Sequence, residues 1–221
     1  MPLTTLAIEQ SCASGSVALR EPDGRVTERA WEEESRMRNR GLFPNLKALL
    51  NDAGIGPEAI DRFAVGIGPG SFTGIRMAIS AAWGMALPAG RQVVGFPSPD
   101  VLAADLAREM GAGILMIVGD ARRERLWLAE YALSNGRANR QAPIRVIPTD
   151  KLADLLQPTT RVATSDWMRL ADFLSRSVPT ACTLLRETHV PRAQTLAEIA
   201  CEETPAVSPA PPLPLYLHPA V

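Results

Sequence analysis

The sequence predicts an α/β protein built as two related lobes, the second reduced. Three observations carry this. A meander of short alternating strands opens the chain, from "LTTLAIEQS" through "RVTERAW". The stretch "VGIGPGSFTGIRMAI", Val65–Ile79, switches from a strand-like apolar run through a glycine loop to a helical one. After Gly111 the strand meander starts again, followed once more by strand and helix in weaker form.

In chain order, "LTTLAIEQS" reads as the first strand and Gly15–Glu21 as the second. Pro22-Asp23-Gly24 gives a turn into a third strand, "RVTERAW". Glu32–Arg40 is polar and reads as a solvated connection. Leu42, Phe43, Leu46, Leu49 and Leu50 recur at helical spacing, which predicts a helix over Leu42–Ala53 ended by Gly54. "RFAVGIG" is a buried strand, Phe72–Leu87 a helix stopped by Pro88, Gln92–Phe96 a strand and Asp100–Met110 a helix. In the second lobe, Gly113–Ala121, Arg125–Leu133 and Pro143–Pro148 read as strands. "RVATSD" with Trp167–Arg176 and a helix around Thr195–Glu203 follow. The tail "TPAVSPAPPLPLYL" reads as extended rather than packed. The expected domains are 1–108, carrying the glycine loop, and 109–221, including the proline-rich tail.

The 221 residues, 46% hydrophobic and 21% charged, suit a soluble globular protein with a real core. Lysine and arginine number 23 against 24 acids, so no chain-wide basic surplus is present to grip nucleic acid. Contact with RNA is therefore expected only indirectly, through a complex. The opening residues lack a signal-peptide pattern, and no apolar run approaches the ~20 residues that span a bilayer. Cys12, Cys182 and Cys201 are scattered and unpaired in pattern, which fits reduced thiols and a cytoplasmic location. With only His189 and His218, a histidine-rich metal centre is not expected.

The glycine loop fails the standard chemical templates. A Walker loop needs a lysine, and none lies between Lys47 and Lys151. The dinucleotide fingerprint puts its third glycine on Ser71 or Thr73, and a nucleophile elbow would need glycines at Pro69 and Thr73. Ser71 is a good N-cap for the helix that begins at Phe72, and free amides there would favour an anion. A tight strand-to-helix turn explains the same residues, so both readings stand. Glu9, Gly68, Gly70, Ser71 and Thr73 are the candidates for an anion or nucleotide loop. The helix itself carries only one charge, Arg76, so it is either an internal core helix or a surface for another chain.

"GIGPGSFTGIRMAI" resembles the signature of the TsaB (YeaZ) family, which acts in bacterial tRNA threonylcarbamoyladenosine synthesis. "LAIEQSCASGSVAL", "QVVGFPSPDVLAA", "VGDARRERLWLAEY" and "PLPLYL" resemble further family segments in the family's order. The resemblance implies the ASKHA fold (actin, sugar kinase, Hsp70). It also implies a non-catalytic partner of TsaD, the relative that transfers threonylcarbamoyl to the adenosine beside the anticodon. "IEQSC" is closer to TsaD's "IETSC", but TsaD carries an H-x-x-x-H metal pair where this chain has Ser98 and Leu102. Arginine commonly follows "YL" in the family, and here His218 stands there. The implied partner surface is Phe72, Gly74, Ile75, Met77, Ala78, Ile79 and Ala82, with Leu46 from the preceding helix. A TsaE-like ATPase is the further partner implied, and a homodimer is expected when the chain is alone. No cofactor is expected on this chain by itself, although ATP or magnesium could belong to the shared complex. The alternative is an ASKHA-type small-molecule phosphotransferase or hydrolase using Glu9 and the glycine loop. Asp120 and Arg122 read as a turn residue and a surface cation, Cys12 as a structural thiol, and His189 as a loop residue.

Overall fold

The computed structural model describes residues 3–32, 41–202 and 210–217. The polar connection 33–40, residues 203–209 of the tail, and His218 lie outside the described residues. Two compact units divide the chain, 1–101 with 191–215 and 102–190 with 216–221.

The first unit is built on a mixed sheet of β1 (Thr5–Glu9), β2 (Ser14–Arg20), β3 (Val26–Glu32), β4 (Arg62–Gly66) and β5 (Gln92–Phe96). Their order is β3-β2-β1-β4-β5, with the first three antiparallel and β1, β4 and β5 parallel. Parallel neighbours need helical crossovers. α1 (Leu42–Ala53) leads into β4, and α2 (Phe72–Ala86) carries the chain from β4 to β5. Leu6, Ile8, Val17, Leu19, Phe63 and Val65 point to the face covered by α1 and α2. The opposite face presents Ala7, Ala18 and Ala64, small enough for α6 (Ala193–Glu202) to settle on it through Ala193, Leu196, Ala197 and Ala200.

The second unit repeats that plan. After α3 (Ser98–Glu109), the strands are β6 (Gly113–Arg122), β7 (Arg125–Ser134), β8 (Arg137–Arg140), β9 (Arg145–Pro148), β10 (Arg161–Thr164) and β11 (Thr183–Thr188). They are ordered β8-β7-β6-β10-β11, with β9 also pairing β7. An antiparallel meander again passes into parallel neighbours, in the same order as in the first sheet. The reduction is visible at the crossover. The four-residue α4 (Leu152–Leu155) follows the meander where the first unit has the twelve-residue α1. α5 (Trp167–Ser177) packs Leu170 and Leu174 with Val118, Leu126 and Val162 on one face, while α3 lays Leu102, Ala103 and Leu106 with Leu115, Ile117 and Tyr131 on the other.

Several features differ from the sequence expectations. The strand expected at Pro143–Pro148 is β9, and a further short strand that was not expected, β8, precedes it; both pair with the outer edge of β7. β8 follows from Asn135-Gly136, both at positive φ (51° and 70°), the two-residue hairpin turn whose backbone matches strand twist. β11 was also not expected. Of the described residues, 191–202 and 210–215 group with the first unit rather than the second. There, Ala193 N–H donates to Ser16 Oγ at 2.8 Å, and Arg192 pairs with Glu28 at 2.6 Å. The described part of the tail, 210–217, also makes packing contacts. Leu215 N–H donates to Ile67 C=O at 2.9 Å, and Pro212 sits against Gly95. Among the described residues no helix is long and apolar enough to cross a membrane.

Candidate functional site

The glycine loop sits at the C-terminal ends of β1 and β4, where Glu9 closes the first strand. Glu9 is wholly inside the protein, at 1% exposure. Its Oε1 accepts the Ser11 N–H at 2.7 Å and its Oε2 accepts the Ser98 hydroxyl at 2.9 Å. The Ser98 oxygen accepts the Gly68 N–H at 3.2 Å, and Ser98 N–H donates to Gly68 C=O at 2.9 Å. One carboxylate therefore ties together the end of β1, the loop and the start of α3. Burial pushes the Glu9 carboxyl above its ordinary value, and the bonds from Ser11, Ser98 and the Gln10 backbone pull the other way without cancelling it.

Two glycines make this packing possible. A Cβ at Gly66 would lie 2.5 Å from Glu9 Cδ, 2.8 Å from Oε1 and closer still to Oε2. A Cβ at Gly70 would lie 2.9 Å from the Ser11 carbonyl carbon and closer to its oxygen, which accepts the Ser71 N–H at 2.7 Å. The Gly68–Pro69 peptide is cis. Ser71 caps α2 as its sequence position predicts, accepting the Gly74 N–H at 3.2 Å. The loop is thus filled by the chain's own groups, and the Ser11 amide and Ser98 hydroxyl that an anion would seek are held by Glu9. The sequence pointed to Glu9, Gly68, Gly70 and Ser71, and the structure brings them together. Thr73 is instead exposed on the first turn of α2. Ser11, Gly66 and the Glu9–Ser98 bond were not foreseen, since nothing in sequence links residues 89 positions apart.

α2 divides sharply into two faces. Ile75 (4% exposed), Ile79 (7%), Ala78, Ala82 and Gly74 are buried under the first sheet, as is Leu46 of α1. Six of the eight residues expected at a partner surface therefore belong to the chain's own core. Phe72 remains outside at 57%, with Arg76 stacked over its ring at 3.7 Å, and Met77 is half-buried. Thr73, Ser80, Gly84 and Leu87 continue the open side. Because α1 enters β4 and α2 leaves it, both helices run antiparallel to β4 and begin at the same end. Phe43, 56% exposed, occupies the first turn of α1 as Phe72 does in α2.

At the turn of the second unit, Asp120 accepts the Arg122 N–H at 2.8 Å and pairs with Arg122 and Arg169 at 3.1 and 3.6 Å. Asp166 completes the cluster through Arg169 at 2.6 Å and the Asp120 N–H at 2.9 Å. His189 follows β11, its N–H bonded to Thr164 C=O at 3.0 Å, and Cys12 Sγ lies 3.6 Å from Ser11 Oγ. Among the described residues no group of His, Cys, Asp and Glu could hold a metal ion.

A sheet of this order, repeated in a second unit and carrying an acid at the end of the first strand, defines a two-lobed α/β protein of the actin, sugar-kinase and Hsp70 architecture. Residues 32–185 match the family model described as TsaD, tRNA N6-adenosine threonylcarbamoyltransferase. The chain belongs to that family, in its TsaB (YeaZ) branch. It is 34% identical over 126 residues to the tRNA threonylcarbamoyladenosine biosynthesis protein TsaB of Escherichia coli, covering 57% of this chain and 54% of that protein. The Bacillus subtilis TsaB is 26% identical over 176 residues, 80% of this chain and 69% of that one. The match thus spans about half the length of the E. coli relative. Among solved structures, YeaZ from Pseudomonas aeruginosa aligns at a TM-score of 0.76 with 29% identity, covering 90% of both chains. Another, described as an uncharacterized protein with similarity to peptidase YEAZ from the same organism, aligns at 0.79 with 27% identity over 98% of this chain and 100% of that one.

Proposed function

We propose that this chain is the non-catalytic partner of a TsaD-type subunit in the cytoplasmic complex that installs threonylcarbamoyl on the adenosine beside the tRNA anticodon. The observation that carries this is the open side of α2 in a chain of this family, with Phe72 exposed beside Arg76 and Phe43 at the same end of α1. Exposed aromatic side chains on a rigid helix pair are the anchors that helix-to-helix interfaces bury. Small residues along Thr73, Ser80 and Gly84 let a second helix approach closely. The position of the TsaD histidines supports the same reading. Ser98 is committed to Glu9, and Leu102 is 2% exposed in the core of the second unit. A TsaE-type ATPase completes the proposed assembly, and a second copy takes the α1–α2 face when the TsaD-type subunit is absent.

The test is co-purification of the chain with a TsaD-type subunit, comparing wild type with Phe72→Glu and with Met77→Glu. Phe72 is exposed and Met77 is half-buried against the core, so circular dichroism first establishes that each variant is folded, and recovery of the complex should then fall at least tenfold. Ile75 and Ile79 are unsuitable for this purpose, because a charge there would enter the core. Undiminished recovery with both variants would overturn the reading.

A further inference from the structure

The near-balance of charge over the whole chain conceals one strongly asymmetric edge. No aspartate or glutamate occurs between Glu130 and Asp150, while Arg137, Arg140 and Arg145 all fall there. These arginines stand on β8 and β9, the two short strands that together line the outer edge of β7. The register places them regularly. Arg145 is opposite Leu128, Arg140 opposite Tyr131 and Arg137 opposite Ser134, and Arg125 begins β7 itself. The rows 125, 128, 131 and 134 are three residues apart, about 10 Å at the rise of a strand. All four side chains are exposed. They alternate between the two sides of the sheet, so the positive charge follows the edge rather than one face.

The end of this edge carries a second irregularity. The β6–β7 turn is closed by Arg123 and Glu124, with Arg122 before them, and all three have positive φ (65°, 53° and 56°). The other hairpin of the same sheet meets that demand with Asn135-Gly136. At the β6–β7 tip the chain instead keeps exposed, charged side chains in a conformation that disfavours them, a pattern that points to use of the side chains. The acids nearest in sequence are Asp120, which is engaged with Arg122 and Arg169, Glu124 in the turn, Glu130 on β7 and Asp150 just after β9, and Arg137 and Arg140 each already hold an interaction within the chain.

We propose that the β7–β8–β9 edge, through Arg125, Arg145, Arg140 and Arg137, is a contact surface for the phosphate backbone of RNA. Guanidinium groups are planar donors suited to phosphate oxygens, and a row of them on a rigid strand neutralises successive phosphates without reading sequence. A protein partner or a lipid surface would call for an apolar centre. The fully exposed side chains along this edge are the arginines, Ser134, Asn135, Asn139, Gln141, Pro143 and Pro148, with Ile144 and Val146 partly covered, so no large apolar side chain stands fully open there. The surface extends the proposed role, since it would give this chain its own contact with RNA instead of leaving that to other subunits. It does not depend on that role. RNA binding by the isolated chain and association with another subunit are separate measurements.

Fluorescence anisotropy of labelled bulk tRNA with the isolated full chain, between 50 and 200 mM salt, tests it. Four phosphate contacts predict a log–log salt slope near −3.6, or roughly a hundredfold loss of affinity across that range. The variant carrying Arg125→Gln, Arg137→Gln, Arg140→Gln and Arg145→Gln should bind at least tenfold more weakly at low salt and lose most of the slope. Arg25→Gln with Arg91→Gln, on the first unit, should bind as wild type does. If the fourfold variant does not fold, the pairs Arg125→Gln/Arg145→Gln and Arg137→Gln/Arg140→Gln should each remove about half of the slope. No binding by the wild type at low salt would overturn the proposal, as would unchanged binding by the edge variants. Self-association of those variants with unchanged RNA binding would also overturn it, and would assign the arginines to guarding an open sheet edge.

Discussion

Replacing Gly66 by alanine tests whether the buried Glu9 carboxylate holds the glycine loop in place. The new Cβ would stand 2.5 Å from Glu9 Cδ and 2.8 Å from Oε1, so either the surroundings shift or the carboxylate leaves. Overpacking a well-filled site costs about 1–3 kcal/mol. Displacing Glu9 would sacrifice its bonds from the Ser11 amide and the Ser98 hydroxyl, at about 1.5–3 kcal/mol each for a charged acceptor. The chain takes the cheaper route, and Gly66→Ala is expected to destabilise by about 2–3 kcal/mol. In a Glu9→Ala background the space is vacant and the two bonds are already gone. The same substitution should then cost under about 1 kcal/mol, because alanine is no worse than glycine in a strand. A double-mutant cycle by urea unfolding, followed by circular dichroism, measures the difference. An equal cost in both backgrounds would refute the claim that Glu9 is wedged against Gly66.

Other consequences can be checked in parallel. Because burial raises the Glu9 carboxyl, the folded state holds its proton more tightly than the unfolded one. Its contribution is therefore present below the ordinary glutamate range and is lost as pH rises through the folded value. A urea-unfolding pH series should show wild type losing stability relative to Glu9→Gln across that window, then running parallel above it. Phe72→Glu removes an anchor that is 57% exposed, and burying that area at an interface is worth about 2–3 kcal/mol. Affinity for the TsaD-type subunit, or for a second copy in light scattering, should fall by roughly thirty- to a hundredfold. Glu124→Gly relieves one left-handed residue at the β6–β7 turn and should stabilise the second unit by about 1 kcal/mol in urea unfolding.

Much of this molecule was legible in its residues. Alternation in "GSVALRE" and "RVTERAW", helical spacing of Leu42, Leu46, Leu49 and Leu50, and Ser71 as a cap each express a local rule, and each is observed. The Asn135-Gly136 turn is equally local, yet the short, polar strand β8 that follows it lacks the apolar alternation that marks strands. The burial of six of the eight partner-surface residues was illegible for a different reason. Almost every residue of α2 is apolar or small, so periodicity could not say which side the sheet would take. The contact of Glu9 with Ser98 and the return of α6 to the first sheet depend on long-range packing that no local pattern encodes. The arginine edge lay in plain view, but net charge averages it away. Only the register of β8 and β9 against β7 puts those residues in one row.

The most direct test of the proposed role is the threonylcarbamoyladenosine content of tRNA, measured by mass spectrometry of digested nucleosides from cells depleted of this protein. The account predicts that the modified nucleoside falls severalfold, that the wild-type chain restores it, and that Phe72→Glu does not. An unchanged level after depletion would contradict it.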